Sequence, residues 1–220
     1  MFSDHKSRLQ AFKDAGLYLV TSEALSAGRR TEDIVSAALR GGVRLIQLRE
    51  KERSVDELRP LAQRIRDLTA EAGALLFLND HVELALEVGA DGVHLGQEDM
   101  PVAEARALAP NLVIGVSTHD AEELVAAEEG GASTINIGPI FPTKTKDWTD
   151  PFLGLEGLRE LGERARVPFS VMGGIKRHHI GDLVAAGART IALVTAVTAA
   201  DDPEQATREL LDCIQVARGG

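Results

Sequence analysis

The sequence predicts an α/β fold, a single closed (β/α)8 TIM barrel. Three observations support this prediction: eight short apolar runs recur along the chain, amphipathic stretches separate them, and 220 residues suffice for one barrel. Strict alternation implies parallel strands with right-handed crossovers, so we expect one domain over 1–220 with an N-terminal extension at 1–16. A doubly wound open sheet is the alternative, although such sheets more often stop at five or six strands.

Strands are predicted at the short apolar runs and helices between them. The predicted strands are LYLVTS (17–22), RLIQLRE (44–50), LLFLND (75–80), GVHLGQ (92–97), VIGVST (113–118), TINIGPI (134–140), PFSVMGG (168–174) and TIALVTAV (190–197). Helices are predicted over stretches such as TEDIVSAALRGG, SVDELRPLAQRIRDLTAEAG and DAEELVAAEEGGA, in which a Gly near the end is typical of a helix stop. A last helix, DPEQATRELLDCIQVA, follows the eighth strand.

Composition narrows the classes of function. The formal charge of −10 excludes nucleic acid and anionic membranes as general partners, because both require a broad basic surface. An anionic ligand must instead be held by a local basic site. No apolar run approaches the ~20 residues that cross a bilayer, and no signal-peptide pattern occurs. With a single cysteine, Cys213, the chain has neither an intramolecular disulfide nor a cysteine metal cluster, so we expect a soluble cytoplasmic protein.

Polar residues cluster where the predicted strands end. The carboxyl ends of barrel strands and the loops after them form one face, which carries the active site in this fold. We therefore expect these residues to meet at one mouth. They are Gln47, Arg49 and Lys51; Asn79 and Asp80; Gln97, Glu98 and Asp99; Ser117, Thr118 and His119; Thr143, Thr145 and Lys146; Gly173 and Gly174; and Thr195.

The mixture of charges at this face favours a magnesium diphosphate site over a hydrolase dyad. Mg²⁺ takes hard oxygen ligands, commonly one or two carboxylates together with phosphate oxygens, and Asp80 and Asp99 supply two carboxylates. Arg49 and Lys51 would neutralise the remaining charge. Loops after the seventh and eighth barrel strands frequently bind phosphate through backbone N–H groups, so the Gly-Gly pair is a candidate for a second anion site.

Each of these residues also has a structural interpretation. The pair Asn79-Asp80 is typical of a turn or helix cap, Asp99 of a helix N-cap, and a Gly-Gly pair of a tight turn. The two cations would elsewhere be ordinary solvated charges, and His119 a hydrogen-bonded structural residue. We expect His94, inside a strand, to be packed. The coincidence of the other residues at one barrel end favours the functional interpretation.

Five motifs resemble those of the thiamine-phosphate synthase family, also called the thiamine-phosphate pyrophosphorylases. They are QLREK (47–51), LNDHVELALEVGADGVHLGQED (78–99), GVSTHD (115–120), GPIFPTKTKD (138–147) and GGI (173–175). One such motif alone is weakly specific, whereas five in order, each at a predicted strand end, are highly specific. The resemblance runs from about Leu17 to the final helix.

The resemblance implies a transferase of thiamine biosynthesis. It would join 4-amino-2-methyl-5-hydroxymethylpyrimidine diphosphate to 4-methyl-5-(2-phosphoethyl)thiazole, or to the carboxylated form of that thiazole, giving thiamine phosphate and diphosphate. It also implies Mg²⁺ as cofactor, phosphorylated small molecules as partners, and a dissociative mechanism through a pyrimidine methylene cation. The oligomeric state is left open, with a homo-oligomer as one outcome.

Carried over to the matching positions, the resemblance assigns roles to individual residues. Gln47 would bind the aminopyrimidine, and Ser117 would contact the pyrimidine substrate near its leaving group. The diphosphate would be held by Arg49, Lys51, Asn79 and Lys146, and Mg²⁺ by Asp80 and Asp99. The thiazole phosphate would be held by Thr143, Thr145, Gly174, Val194 and Thr195. The residues expected to act in catalysis are Arg49, Lys51, Ser117 and Lys146.

The chain departs from the family pattern beside the expected phosphate pocket. Thr195 stands where the family usually has Ser, and Val171-Met172 replaces the usual small or β-branched residues before the glycine pair. A thiazole tautomerase on the same barrel is the closest alternative, but it generally lacks the QED carboxylate and the PTxTK loop. A non-catalytic phosphate-binding barrel is the second alternative, and Mg²⁺-dependent turnover discriminates against it. We expect the loop from Pro142 to Phe152 to close over bound substrate.

Overall fold

The protein, analysed as a computed structural model that describes residues 2, 4–143 and 151–219, forms the predicted closed barrel. Neighbouring strands pair in parallel in chain order, and the eighth closes on the first through the pair Leu17 and Ile191. The (β/α)8 prediction is confirmed, and the open sheet is excluded. The strands are β1 (Leu17–Val20), β2 (Leu45–Leu48), β3 (Leu75–Asn79), β4 (Gly92–Leu95), β5 (Val113–Thr118), β6 (Thr134–Ile137), β7 (Phe169–Val171) and β8 (Thr190–Leu193).

Helices connect the strands on the outside of the barrel. Two single 3₁₀ turns, Glu23–Leu25 and Arg177–His179, precede α2 and α8. No helix among the described residues combines the length and the apolar character needed to span a membrane. The helices of the described part are α1 (His5–Asp14), α2 (Thr31–Arg40), α3 (Val55–Glu71), α4 (Val82–Glu87), α5 (Val102–Leu108), α6 (Ala121–Glu129), α7 (Gly154–Arg164), α8 (Ile180–Ala185), α9 (Thr195–Thr198) and α10 (Pro203–Ala217).

Local capping signals fix where several helices begin. Ser54 and Glu57 form a capping box at α3, in which the Glu57 carboxylate accepts from the Ser54 N–H at 2.8 Å. Asp120 caps α6 by accepting from two backbone N–H groups, at 2.9 and 2.8 Å. Asp202 caps α10, whose first residue is Pro203. Ser54 and Asp120 each follow a strand by a short loop, so these two caps hold their loops at the carboxyl-terminal face of the barrel.

The side chains of the strands alternate between two apolar clusters. Those pointing outward, such as Leu17 and Leu19, pack against the helices in the larger cluster. The smaller cluster fills the barrel interior, where the rings of Tyr18 and Phe77 lie 5.9 Å apart, edge to face. Gly92 is required here, because a Cβ at this position would lie 2.6 Å from the Phe77 ring.

The segment predicted only as an N-terminal extension forms helix α1, which closes the amino-terminal end of the barrel. Phe12 of α1 is 1% exposed, and its ring centroid lies 6.1 Å from those of Tyr18 and Phe77. Its carbonyl oxygen accepts from the Thr190 hydroxyl at 3.1 Å, at the start of β8. Among the described residues the barrel therefore has an aromatic floor at this end, and its cavity opens at the opposite end.

A buried ion cluster reinforces this floor. Asp91, fully buried just before β4, accepts from Arg66 Nη1 at 2.7 Å and from the Leu76 N–H at 3.0 Å. Its other oxygen lies 3.2 Å from Arg8 Nε of α1, an ion pair without hydrogen-bond geometry. Removing one partner of such a cluster leaves an uncompensated buried charge, so the cluster ties α1 and α3 to the sheet.

Candidate active site

A cavity of about 410 Å³ opens at the carboxyl ends of the strands. The structure brings together there all of the predicted site residues that it describes. They are Gln47, Arg49, Lys51, Asn79, Asp80, Asp99, Ser117, Thr143, Gly174, Val194 and Thr195. Thr145 and Lys146 lie outside the described residues. Gly173 and His119 also line the cavity. Three other strand-end residues that were expected at this mouth do not line it: Gln97, Glu98 and Thr118.

Two carboxylates, Asp80 and Asp99, meet on one side of this cavity. Asp80 follows β3 with a positive φ of 64°, a left-handed conformation that Asp tolerates better than most residues, and its N–H donates to the His94 carbonyl oxygen at 2.9 Å. Asp99 is held by the Gly96 N–H, which donates to Oδ2 at 2.6 Å. The two side chains lie within hydrogen-bonding reach of each other.

The environment of this pair favours a bound cation. Burial raises the pKa of Asp80, and the hydrogen bond and charge of Asp99 raise it further, while Lys51 opposes both effects. The Lys51 ammonium lies 3.6 Å from Asp80 Oδ2. Within the described residues no three His, Cys, Asp or Glu side chains group as a metal site. The donor set of two hard oxygens therefore fits an ion, such as Mg²⁺, that takes its other ligands from water and phosphate.

Cationic side chains occupy the end of β2 next to the carboxylates. Arg49 is half-buried and Lys51 is exposed. Burial lowers the pKa of the Arg49 guanidinium, and the charges of Asp80 and Glu50 oppose that shift. An arginine keeps its proton at neutral pH in such a site, so Arg49 supplies a permanent charge to the cavity wall.

Uncharged polar side chains form a layer between the charged rim and the aromatic floor. Gln47, 3% exposed, donates from Nε2 to the Tyr18 hydroxyl at 2.7 Å, and burial raises the pKa of that hydroxyl. His94 Nε2 lies 2.9 Å from Ser117 Oγ. Burial lowers the pKa of His94 to about 4, so the ring is neutral at pH 7. Asn136 Nδ2, in β6, donates to Ser170 Oγ, in the neighbouring strand β7, at 2.6 Å.

Glycines shape the opposite end of the cavity, after β7. Gly173 and Gly174 have φ values of 99° and 62°, which L side chains rarely adopt. A Cβ on Gly174 would lie 2.3 Å from the Pro142 carbonyl oxygen, and one on Gly173 would lie 2.4 Å from Pro139 Cβ. Thr143 after β6 and Thr195 after β8 line the same cavity, so three adjacent strand ends converge on the glycine pair.

The comparisons identify the family. A model of the thiamine monophosphate synthase family matches residues 17–197. The chain belongs to this family. It is 44% identical over 211 residues to a thiamine-phosphate synthase of Caldicellulosiruptor saccharolyticus, covering 96% of each chain. It is also 44% identical over 200 residues to one of Methanospirillum hungatei, covering 90% of this chain and 97% of the relative.

Solved structures agree with this assignment. The thiamine phosphate pyrophosphorylase from Pyrococcus furiosus matches with a TM-score of 0.87 and 37% identity, covering 96% of this chain and 100% of that chain. A 3-hexulose-6-phosphate synthase matches with a TM-score of 0.61 at 23% identity, which indicates the shared barrel fold alone. The family resemblance drawn from the five motifs is therefore confirmed.

Within this family framework, the two departures from the usual pattern both face the cavity. Thr195 and Met172 line it, and Met172 also packs against the interior apolar cluster. His119 lines it too, with Nδ1 2.7 Å from Glu123 Oε2, which also accepts from the His119 N–H at 2.8 Å. This arrangement fits the structural interpretation of His119 as a residue that fastens the start of α6.

Among the lining residues that the sequence analysis did not assign to the site, three have polar or charged side chains. His94 is packed, as expected, but it also lines the cavity and contacts Ser117. Asn136 in β6 and Lys176 after β7 were not assigned to the site at all. The available signal for the first two was a polar side chain at an inward-pointing position of a buried strand, because such positions alternate with outward ones.

Proposed function

We propose that this chain is a thiamine-phosphate synthase. It couples the pyrimidine diphosphate to 4-methyl-5-(2-phosphoethyl)thiazole, or to its carboxylated form, and releases thiamine phosphate and diphosphate. The observation that carries this proposal is the convergence of the family motifs on one cavity that combines Arg49 and Lys51 with the Asp80–Asp99 pair. The transferase class expected from the sequence is confirmed by family membership and by the name that the relatives share.

Gln47 orients the aminopyrimidine in this proposal. One N–H of its amide is committed to the Tyr18 hydroxyl, which leaves the carbonyl oxygen and a second N–H for the ring. An aminopyrimidine edge offers a donor and an acceptor side by side, so the amide matches it. Because Tyr18 is fixed in the aromatic floor, the direction of the amide is fixed as well.

The rim of the cavity binds the diphosphate. Arg49 and Lys51 neutralise its charge, and the Asn79 amide, next to them at the end of β3, adds a neutral donor. Lys146 would complete this group, and its role remains a prediction because it lies outside the described residues. Asp80 and Asp99 would hold Mg²⁺, which when bound supplies further positive charge to the leaving diphosphate.

The chemical step requires stabilisation of the leaving group more than activation of a nucleophile. Breaking the C–O bond leaves a pyrimidine methylene cation that the electron-rich ring itself stabilises, and the thiazole nitrogen then attacks it. The protein must hold the two reactants in line and stabilise the departing diphosphate. Ser117 contacts the pyrimidine substrate near the breaking bond. Since His94 behind it is neutral, that wall adds no positive charge beside the cation.

The thiazole phosphate binds at the glycine end of the cavity. Gly174, Thr143 and the backbone of Val194 and Thr195 contribute polar groups, and Thr145 is expected to add a hydroxyl from beyond the described residues. Lys176, exposed at the same end, supplies a cation there. The predicted closure of the loop from Pro142 to Phe152 concerns mainly residues 144–150, which lie outside the described residues, and it stays a prediction. Such closure over both substrates would exclude water from the cation, so hydrolysis without thiazole should be slow.

A coupling assay tests this function. Purified protein, both substrates and either Mg²⁺ or EDTA are combined, and thiamine phosphate is detected after oxidation to its fluorescent thiochrome. We expect product only with the metal, and Asp99→Asn should abolish most of it. Asp120→Asn is the matched control, because Asp120 also follows a strand but caps α6 outside the cavity, and Asn is an equally good cap.

Folded protein that forms no thiamine phosphate with the metal would overturn the proposal. Isomerisation of the carboxylated thiazole phosphate in the same preparation would then indicate the tautomerase. Phosphate binding without turnover would indicate a non-catalytic barrel. The cytoplasmic location and a homo-oligomeric state remain predictions.

A further inference from the structure

A buried carboxylate stands between the two cations at the end of β2 without lining the cavity. Glu50 follows Arg49 and precedes Lys51, both of which line the site, yet its own side chain binds the loop after β1. The residue is 8% exposed. All three residues lie beyond the end of β2 at Leu48, and there the side chain of Glu50 turns away from the cavity.

Glu50 is held by three short hydrogen bonds. Its Oε1 accepts from the hydroxyls of Thr21 at 2.7 Å and Thr31 at 2.8 Å. Its Oε2 accepts from the Glu23 N–H at 2.7 Å. No ion pair among the described residues includes Glu50, so these neutral donors stabilise its buried charge. Hydrogen bonds to a charged acceptor are about twice as strong as neutral ones. We refer to the Glu50 carboxylate with its three donors, the hydroxyls of Thr21 and Thr31 and the Glu23 N–H, as the clamp.

The clamp continues directly to Arg49. Thr21 Oγ1 donates its proton to Glu50 and accepts from the Arg49 backbone N–H at 3.0 Å. The Thr21 N–H in turn donates to the Gln47 carbonyl oxygen at 2.9 Å. One hydroxyl therefore connects the buried carboxylate to the backbone of a cavity cation, on the strand that also carries the pyrimidine-binding amide.

A second contact joins the two loops. The Glu23 carboxylate, after β1, pairs with Arg53 Nη2, after β2, at 2.6 Å. The loops after β1 and after β2 are thus tied together on the outer side of the strand ends. Leu25, in the tied loop, lines the cavity, so the clamp bears on the shape of the site.

We propose that Glu50 is a positioning residue that fixes the end of β2 so that Arg49 and Lys51 are held ready to bind the diphosphate. The assignment of that anion rests on the proposed function. In the proposed function the thiazole phosphate binds at the ends of β6 to β8. Strand β8 adjoins β1, but none of the hydrogen bonds that Glu50 and Thr21 form among the described residues reaches a residue of β6 to β8. Loss of the clamp should therefore weaken diphosphate binding and leave thiazole phosphate binding nearly unchanged.

The first test replaces Glu50 by Gln. The Gln carbonyl oxygen can still accept from both threonine hydroxyls, as Glu50 Oε1 does. Its NH₂, however, would face the Glu23 N–H, donor against donor, and the negative charge that strengthens all three hydrogen bonds is lost. Calorimetry with inorganic diphosphate and Mg²⁺ should show binding weakened about tenfold. The KM for the pyrimidine diphosphate should rise by a similar factor, and the KM for the thiazole phosphate should stay within about twofold.

A second pair of variants keeps the test decisive if Glu50→Gln does not fold. Thr21→Val removes the connecting hydroxyl at nearly constant volume and should behave like Glu50→Gln, whereas Thr21→Ser keeps the hydroxyl and should bind diphosphate like the wild type. Asp91→Asn is the matched control for losing a buried carboxylate. It should lower Tm without changing either KM, because Asp91 lies at the floor of the barrel.

Wild-type diphosphate affinity in Glu50→Gln or in Thr21→Val would overturn the positioning role. Equal rises in both KM values, in proportion to the loss of Tm, would also overturn it, because a residue that only supports the fold would give that result. Because calorimetry needs no turnover, a wild type that binds diphosphate but makes no thiamine phosphate would refute the proposed function alone. Normal synthesis together with unchanged diphosphate binding by Glu50→Gln would refute the role of Glu50 alone.

Discussion

Asp80→Asn should stabilise the metal-free protein while removing its response to Mg²⁺. Asn keeps the shape of the side chain and tolerates the left-handed backbone at this position. A carboxyl whose folded pKa is raised binds more protons in the folded state than in the unfolded state. Its contribution to stability is present below the unfolded pKa and is lost as pH rises through the folded pKa. At pH 7 the ionised pair with Asp99 therefore opposes folding.

The size of the effect follows from the geometry. Two unit charges at ~4 Å repel by about 4 kcal/mol at an effective dielectric of about 20. Lys51 lies 3.6 Å from Asp80, but its side chain is 54% exposed, so their ion pair offsets at most about 1 kcal/mol. Solvent also screens the Asp80 side chain, which is 23% exposed. We therefore expect a gain of about 1–2 kcal/mol, which raises Tm by about 2–8 °C.

Thermal unfolding in EDTA and in a Mg²⁺ titration measures both parts of this prediction. The wild type should gain stability with Mg²⁺, by about 2.7 kcal/mol at a concentration one hundred times Kd, and Asp80→Asn should not. Asp91→Asn serves as control, since it breaks a buried ion pair and should lower Tm while keeping the Mg²⁺ response. The reasoning would be refuted if metal-free Asp80→Asn had a lower Tm than the metal-free wild type. It would also be refuted if Mg²⁺ raised the Tm of Asp80→Asn as much as that of the wild type.

Three further predictions concern the interior layer, the phosphate end and the floor. The pKa of His94 is lowered to about 4, so the free energy of unfolding falls as pH drops from 6.5 toward 4. Denaturant titrations over this range should show the wild type losing about 3 kcal/mol more than His94→Gln. Equal losses in the two proteins would contradict this prediction. Lys176→Ala should raise the KM for thiazole phosphate about fivefold. The guanidinium of the neighbouring Arg177 pairs with Glu209 at 2.6 Å, so Arg177→Ala should leave that KM unchanged. Equal changes of this KM in the two variants would contradict a phosphate-binding role for Lys176. Phe12→Ala should lower the free energy of unfolding by about 3–5 kcal/mol while activity per folded molecule persists, and loss of that activity would show that the floor does more than support the barrel.

The barrel and the position of its mouth could be predicted because both depend on local patterns. Eight apolar runs of the right length specify the strands, and parallel closure then brings every strand end to one face. All the predicted strands except the fifth were too long at their carboxyl ends, as at β2, which stops at Leu48 while the prediction ran to Glu50. Beyond Leu48 the Arg49 N–H donates to the Thr21 hydroxyl.

Features that depend on distant partners could not be read from the sequence. Glu50 contacts Thr21 and Thr31, which are 29 and 19 positions away, and no periodic pattern connects them. Helix α1 offers one buried side chain, Phe12, and a mostly polar surface, so nothing in its sequence indicates that it closes the barrel. The neutral state of His94 could not be read from the sequence for the same reason, because it results from burial among residues of other strands. One of them is Gly115, where a Cβ would lie 3.0 Å from the His94 ring.

The interior of the barrel is graded in polarity, and this gradient supports the orientation that we propose for the pyrimidine diphosphate. The floor is aromatic, the next layer is uncharged but polar, with Gln47 and His94, and the rim carries Arg49 and Asp80. Burial excludes charge from the middle layer, as the lowered pKa of His94 indicates. In the proposed orientation the ring would enter to the depth of Gln47, whereas its diphosphate would stay at the rim. The bond that breaks would then lie between the two layers, so that the leaving group would depart toward the cations and the methylene cation would stay beside neutral walls.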